Sequence, residues 1–196
     1  MLQKSLRPAV TNLITPLCKA LIKAGVTADL VTLLGSLGSC LSAIYFFRRG
    51  DFFIGTLVVT LFVLSDLLDG TIARLSNTGG TRWGALIDST LDRLTDSIIV
   101  ISLVMYFRTR DEVVSILLLI VLVTGFLITY IRARAEALGM DCSVGFAERT
   151  ERLIILLVGT GLYGLGLSFT LSAALWTLVG ASLLTIAQRM LAVRKR

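Results

Sequence analysis

Five aspartates interrupt stretches of the chain that are otherwise apolar. Asp66 and Asp69 are three residues apart, Asp88 and Asp92 are four apart, and Asp96 follows one helical turn later. On a helix, residues with these spacings project from one face. An acidic side chain near the centre of a membrane helix costs about 2.5–3.5 kcal/mol on insertion scales. These carboxylates therefore indicate a functional site rather than ordinary surface charge.

The two aspartate pairs are expected to meet at a metal centre. The short connection Asn77-Thr78-Gly79-Gly80 between them lets the two helices fold back side by side. Four carboxylates at close quarters repel one another unless cations neutralise them. Oxygen ligands alone favour magnesium or manganese, and this number of carboxylates indicates two ions. The alternative is that the acids pair with arginines such as Arg74 and Arg93.

The absence of histidine restricts the chemistry further. The chain contains none, which excludes Ser-His and Cys-His nucleophile pairs and removes the commonest general base. Proton transfer must then fall to a carboxylate, a lysine or a tyrosine. The three cysteines, Cys18, Cys40 and Cys142, are far apart and form no zinc or redox pattern. We expect them to be small apolar core residues.

The acidic residues belong to a longer pattern, which runs Asp66-x-x-Asp69-Gly70-x-x-Ala73-Arg74, nine residues, then Gly84-x-x-x-Asp88-x-x-x-Asp92. This pattern resembles the signature of the CDP-alcohol phosphotransferase family. The resemblance implies six membrane helices, a cytoplasmic active site, a homodimer and two Mg²⁺ ions, with Mn²⁺ as the substitute. It also implies that Asp66 and Asp88 bridge the ions and Asp69 completes one site. Asp92 then contacts the other ion and accepts the proton of the attacking hydroxyl.

The same resemblance assigns contacts to the CDP-lipid donor. These positions are Asp29, Leu30, Val31, Thr32, Gly70, Arg74, Thr81 and Gly84. Glycines suit places where a nucleotide approaches helix backbone, and an arginine suits its phosphates. Two alternatives stay open. Asp29 and Thr32 also fit a helix cap and a polar first-turn residue, and Gly84 also fits close helix packing.

A second polar cluster marks the acceptor side. It comprises Tyr130-Ile131-Arg132-Ala133-Arg134-Ala135-Glu136 and Glu148-Arg149-Thr150-Glu151-Arg152. The planar fork of an arginine matches phosphate oxygens, so a phosphorylated acceptor is favoured over serine, choline or free inositol. These stretches are similar to the actinobacterial branch of the family that uses inositol 1-phosphate and CDP-diacylglycerol. That similarity implies acceptor-phosphate contacts at Thr129, Arg132, Arg134, Arg152 and Arg189. The alternative is that the arginines are topological anchors paired with Glu148 and Glu151.

The elements that must position these residues are membrane helices. The chain has 196 residues, 55% hydrophobic and 16% charged, and a mean hydropathy of +0.86, which is too apolar for a soluble domain of this length. We predict a single all-α membrane domain, with an amphipathic surface helix over 1–25 and a six-helix bundle over 26–196. The predicted spans are Ala28–Phe47, Phe52–Arg74, Gly84–Phe107, Val113–Ala135, Leu153–Phe169 and Leu171–Leu191.

Topology is predicted from the cations. With six spans, both chain ends lie on one side, and that side collects most of the lysines and arginines. The positive-inside rule then places both termini and the active site in the cytoplasm, with the protein in the cell membrane. No cleavable signal is expected before the first span.

Three other functions are compatible with parts of this pattern. Two are related enzymes, a phosphatidylglycerophosphate synthase or an archaeal enzyme with an ether-lipid donor, such as an archaetidylinositol phosphate synthase. The third is a divalent-cation transporter, which also needs intramembrane carboxylates but predicts acids throughout the membrane depth. Here the acids cluster toward one end of two adjacent helices. No nucleic acid partner is expected.

Overall fold

The computed structural model describes residues 15–76, 81–142 and 144–194, except for the side chain of Asp66. All regular structure in these ranges is helical. The elements are α1 (15–23), α2 (Ala28–Ser42), a π-helical turn (Ala43–Phe47), α3 (Phe52–Val63), α4 (Ser65–Leu75), α5 (Arg82–Phe107), α6 (Glu112–Ala137), α7 (Arg149–Gly164) and α8 (Phe169–Arg194). The all-α prediction is confirmed. Residues 1–14 of the predicted surface helix lie outside the described residues, and its membrane-surface placement stays a prediction.

In the part of the chain that the structure describes, four helical stretches that overlap predicted spans have the length and composition to cross a membrane. They are Ala28–Phe47, Phe52–Leu75, Glu112–Ala137 and Phe169–Arg194. α6 shows the expected outward face, because its large apolar side chains are exposed at helical spacing: Val113, Ile116, Ile120, Val123 and Leu127. Exposed apolar stripes of this size are unusual in soluble proteins and suit contact with lipid.

The other two predicted spans differ from these four. α5 is long enough, with 26 residues, but charged side chains interrupt it. α7 has 16 residues, about 24 Å of helix, against a hydrocarbon core of about 30 Å. The predicted bounds Leu153–Phe169 were wrong for this helix. α7 begins at Arg149 and ends at Gly164, and Gly166 follows with φ +97°, a left-handed conformation that ends a helix.

The predicted second span also contains a break. α3 and α4 are separated by Leu64, and the Ser65 hydroxyl donates to the carbonyl of Phe62 at 2.6 Å. A serine that bonds back to the preceding turn competes with the regular helix ladder. α4 therefore begins one residue before the first signature aspartate.

The chain divides into two compact units. The first comprises Met1–Leu41 and Val58–Thr95, and the second comprises Ser42–Leu57 and Asp96–Arg196. In the first unit, Cys40 on α2 lies 3.8 Å from the Thr95 hydroxyl on α5. All three cysteines are unpaired and buried, so their predicted role as small core residues is confirmed.

The second unit has its own core. α8 packs against both α6 and α7, and Leu171, Leu175 and Leu178 of α8 are fully buried. A cluster of aromatic rings adds to this core, formed by Phe47, Phe52, Tyr106, Phe107 and Tyr163. This packing sets the positions of the arginines carried by the C-terminal halves of α6 and α8 and by the first turn of α7.

Candidate active site

The first signature pair lies on α4. Asp69 is only 7% exposed and accepts a hydrogen bond from the Thr32 hydroxyl of α2, with 2.6 Å between Thr32 Oγ1 and Asp69 Oδ2. Thr32 is itself 6% exposed. A buried carboxylate needs such a donor to offset its lost hydration. The sequence resemblance places Thr32 against the nucleotide, and the structure places it against a predicted metal ligand.

The second pair lies on α5, four residues apart on one face. Asp88 is exposed and Asp92 is half-buried. Among the described residues, which leave out the side chain of Asp66, no group of three or more acidic, thiol or imidazole side chains is close enough to hold a metal. The four-aspartate centre therefore stays a prediction. The donor set fits Mg²⁺ or Mn²⁺, since it consists of carboxylate oxygens and the chain has no histidine.

Three of the predicted donor contacts come together in the first unit. The Gly84 amide donates to the Thr81 hydroxyl at 2.9 Å. A Cβ atom at Gly84 would lie 2.9 Å from Asp29 Oδ1 and 3.1 Å from Thr81 Oγ1, so a side chain here would require Asp29 and Thr81 to shift. The suggestion that Asp29 caps α2 was wrong, because Thr27 does so: its hydroxyl accepts from the Leu30 amide at 3.3 Å. Asp29 is instead exposed in the first turn.

The remaining donor residues are more loosely placed. The Arg74 guanidinium is exposed, donates to the Thr71 hydroxyl at 3.0 Å and would lie 3.8 Å from a Cβ at Gly70. Leu30 is 42% exposed and Val31 is half-buried. The arginine is therefore on the same helix face as Gly70 and open to an anionic ligand.

The acceptor candidates divide into two groups in the second unit. Arg152 and Arg189 are 8% and 3% exposed, and Arg189 donates through Nη1 to the carbonyl of Ile128. Thr129 donates to the carbonyl of Gly125 at 3.1 Å, and a Cβ at Gly125 would lie 3.7 Å from Arg152 Nε. These contacts bring Thr129, Arg152 and Arg189 together beside α6.

Arg132 and Arg134 are exposed instead. Arg132 pairs with Glu136, its neighbour one turn later, at 2.8 Å, and the two side chains are 48% and 55% exposed. A paired surface guanidinium is less suited to a phosphate than the two buried arginines. The structure therefore supports Arg152 and Arg189 more strongly than Arg132.

Asp96, which the signature does not include, also has a partner. Its Oδ1 lies 3.4 Å from Nε of Arg149 in the first turn of α7, and both side chains are less than a quarter exposed. Sequence spacing alone could not identify this pair, because the residues are 53 positions apart. The topological alternative paired the acceptor-side arginines with Glu148 and Glu151; in the structure Arg149 also pairs with Asp96, and Arg132 pairs with Glu136.

Comparison with known proteins shows the family of the chain. Residues 25–188 match the family described as CDP-alcohol phosphatidyltransferase. The chain is 42% identical over 205 residues to the phosphatidylinositol phosphate synthase of Streptomyces avermitilis, covering 100% of this chain and 83% of that protein. It is 43% identical over 193 residues to the Mycolicibacterium smegmatis enzyme of the same name, covering 96% and 86%.

The chain is also similar to solved structures of a phosphatidylinositol phosphate synthase. The crystal structure of Mycobacterium tuberculosis phosphatidylinositol phosphate synthase with CDP-DAG bound has a TM-score of 0.87 at 42% identity, covering 93% of this chain and 94% of that chain. The structure of that enzyme in complex with manganese and citrate has a TM-score of 0.86 at 42% identity, covering 92% and 88%. The chain is therefore a transferase that belongs to the CDP-alcohol phosphatidyltransferase family.

Proposed function

We propose that the chain transfers the phosphatidyl group of CDP-diacylglycerol to a hydroxyl of inositol 1-phosphate, forming phosphatidylinositol phosphate and releasing CMP. The observation that carries this proposal is the similarity of the chain, over nearly its full length, to enzymes named phosphatidylinositol phosphate synthase. Membership of an enzyme family decides against the transporter hypothesis. The related enzymes with other acceptors or ether-lipid donors share the family, so the acceptor must be tested directly.

The donor is held by the first unit. Asp29, Thr81 and Gly84 lie close together at the start of α2 and α5, and a relative has been crystallised with CDP-DAG bound. Arg74 is exposed beside Gly70, where its guanidinium can bind phosphate oxygens. The absence of a side chain at Gly84 leaves room for the nucleotide against helix backbone.

The signature carboxylates hold two divalent ions in this proposal, with Mg²⁺ preferred and Mn²⁺ as the substitute. Asp66, Asp69, Asp88 and Asp92 would hold these ions, as the family resemblance implies. A manganese complex of a relative supports a divalent cation. Bound metal supplies charge neutralisation on the pyrophosphate oxygens.

The chain's own residues perform the proton transfer. The acceptor hydroxyl oxygen bonds to the phosphorus that carries diacylglycerol, and the bond from that phosphorus to the CMP oxygen breaks. Asp92 takes the hydroxyl proton, the role that the family resemblance implies for it, and the absence of histidine leaves a carboxylate as a suitable base. CMP leaves with the electron pair of the broken bond.

The acceptor phosphate binds to the second unit. Arg152 and Arg189 are buried guanidinium groups beside Thr129, and buried arginines suit a doubly charged phosphate better than a neutral alcohol. Arg132 and Arg134 are exposed at the same end of α6 and extend the positive potential toward solvent. This charge favours inositol 1-phosphate over free inositol.

In the membrane, we propose that α5 and α7 add two spans to the four apolar ones, giving six with both termini in the cytoplasm. The lysines and arginines collect on that side. The family resemblance adds a homodimer in the cell membrane. In this arrangement the charged residues of α5 face the proposed active site rather than lipid.

The test measures CMP release by purified protein supplied with CDP-diacylglycerol, Mg²⁺ and one acceptor at a time. Turnover is expected with inositol 1-phosphate and not with glycerol 3-phosphate, serine or inositol. Chelation by EDTA should abolish turnover, and added Mg²⁺ or Mn²⁺ should restore it. Release with glycerol 3-phosphate alone would refute the acceptor assignment, and undiminished turnover in EDTA would refute the metal mechanism.

A pair of variants tests the proton acceptor. Asp92→Asn should abolish turnover while retaining CDP-diacylglycerol binding. Asp51→Asn is the matched control, because Asp51 is an exposed carboxylate in the turn before α3, outside the proposed site. Full activity of the Asp92 variant would contradict its role as base.

A further inference from the structure

The connection between α6 and α7 contains residues 144–147, which we call the strap and whose backbone accepts hydrogen bonds from two buried arginines. Arg189 Nε of α8 donates to the carbonyl of Val144 at 2.9 Å. Arg152 Nη1 of α7 donates to the carbonyl of Ala147 at 2.8 Å. Ala147 is 3% exposed. Both proposed phosphate-binding arginines therefore donate hydrogen bonds to backbone carbonyls of the strap.

Thr185 of α8 attaches the strap to the helix core. Its side chain is 0% exposed. The hydroxyl accepts from the Ala147 amide at 3.0 Å and donates to the carbonyl of Ala181 at 2.8 Å. The Thr185 hydroxyl therefore acts as a donor in one hydrogen bond and as an acceptor in another. Replacing it with an apolar group would leave the buried Ala147 amide without this acceptor, which is more costly than losing an exposed hydrogen bond.

Gly145 sits where the strap passes closest to Thr185. Its φ of +137° is one that residues with side chains rarely adopt. A Cβ atom there would lie 2.6 Å from Thr185 Cγ2 and 3.5 Å from Arg189 Nε. Any side chain at this position must push the strap away from α8 or displace Thr185.

We propose that Thr185 and Gly145 are positioning residues for the acceptor phosphate, which hold the strap so that its two carbonyls orient the guanidinium groups of Arg152 and Arg189. This rests on the proposed function, in which these arginines bind the phosphate of the acceptor. Neither residue contacts the substrate. They act through the backbone between the two arginines.

The effect should be specific to the acceptor. The strap, Thr185 and both arginines belong to the second unit, whereas the four signature aspartates belong to the first. We therefore expect movement of the strap to change the acceptor KM more than the donor KM. A general loss of folding would affect donor and acceptor kinetics alike.

The experiment compares Thr185→Val, which removes the hydroxyl at nearly constant volume, with Thr185→Ser, which keeps it. KM for inositol 1-phosphate and for CDP-diacylglycerol is measured for each. Thr185→Val should raise the acceptor KM about tenfold, because the strap moves when the Ala147 amide loses its acceptor and thereby weakens the charged hydrogen bonds of the two arginines to the phosphate. It should change the donor KM by less than about twofold. Thr185→Ser should resemble the wild type. Equal changes in both KM values, or no change in the acceptor KM, would overturn the proposal.

A double-mutant cycle tests the contact between Gly145 and Thr185 directly. It also tests the proposal if Thr185→Val does not fold. Gly145→Ala should raise the acceptor KM, because its Cβ meets the Thr185 methyl group. Adding Thr185→Ser removes that methyl group and keeps the hydroxyl, so the double variant should recover part of the lost affinity. If the two substitutions changed the acceptor KM by strictly multiplicative factors, the contact between residue 145 and the Thr185 methyl group would be contradicted.

A binding measurement separates this proposal from the proposed function. Inorganic phosphate should raise the Tm of the wild type and of Thr185→Ser in the absence of any donor, and should raise it less for Thr185→Val. Equal shifts in all three proteins would overturn the positioning role. Failure of the wild type to use inositol 1-phosphate would overturn the acceptor assignment alone, since the phosphate shift does not depend on turnover.

Discussion

Replacing Thr32 with valine removes a single hydroxyl group at nearly constant shape. In the structure this hydroxyl donates to Asp69 at 2.6 Å, and both side chains are less than 10% exposed. A hydrogen bond to a charged group contributes about 1.5–3 kcal/mol. Asp69 keeps other polar contacts, so we expect the variant to fold with a stability loss in the lower part of that range.

The larger effect should appear in metal affinity. A group that orients a metal ligand typically changes metal affinity by about 10–100-fold when it is removed, which corresponds to about 1.4–2.7 kcal/mol. This range agrees with the hydrogen-bond estimate, although the two come from different measurements. We therefore expect the Mn²⁺ concentration for half-maximal CMP release to rise by at least about tenfold in Thr32→Val.

The assay is a Mn²⁺ titration of CMP release at saturating CDP-diacylglycerol, with Thr32→Ser as the control that keeps the hydroxyl. The serine variant should titrate like the wild type. If Thr32 instead contacts the nucleotide, as the sequence resemblance implies, Thr32→Val would raise the KM for CDP-diacylglycerol and leave the Mn²⁺ midpoint unchanged. That result would refute the role inferred from the Asp69 contact.

Three further predictions follow from other contacts. Asp96→Asn should lower stability by about 1–2 kcal/mol, since it replaces a charged partner of the partly buried Arg149 with a neutral amide. An unchanged Tm would contradict this. Glu136→Gln should change stability by less than about 0.5 kcal/mol, because its pair with Arg132 is exposed, and a larger loss of Tm would show the pair to be structural. Burial raises the pKa of the Cys18 thiol, and this effect outweighs a backbone hydrogen bond and a nearby arginine, which lower the pKa. N-ethylmaleimide should therefore label Cys18 at pH 7 only after the protein unfolds. Labelling of Cys18 in the native protein, detected by peptide mapping, would refute its burial.

The helices that carry the signature aspartates were predictable from sequence, whereas the metal centre and the donor contacts stay predictions. Asp66 and Asp69, like Asp88 and Asp92, share a helix face whatever the helices pack against. The apolar stretches between charges likewise predict helices, since a chain in lipid must satisfy its backbone hydrogen bonds internally. The helix ends were less predictable, as α7 shows, because they depend on local turns such as the one at Gly166.

Contacts between distant parts of the chain depended on the tertiary structure. Thr32 and Asp69 are 37 positions apart, and Ala147 and Thr185 are 38 apart, so no periodicity relates them. Arg132 and Arg152 look equivalent as sequence, yet one lies on the surface beside Glu136 and the other is buried against the strap.

The sequence by itself determined which side chains are available, namely carboxylates without histidine for a predicted metal centre and a set of arginines for a phosphate. Only the tertiary structure decided which of those arginines are buried and what holds them. The physical reason is that helical spacing determines which residues share a face, whereas burial and hydrogen-bond partners depend on which other helix packs against that face.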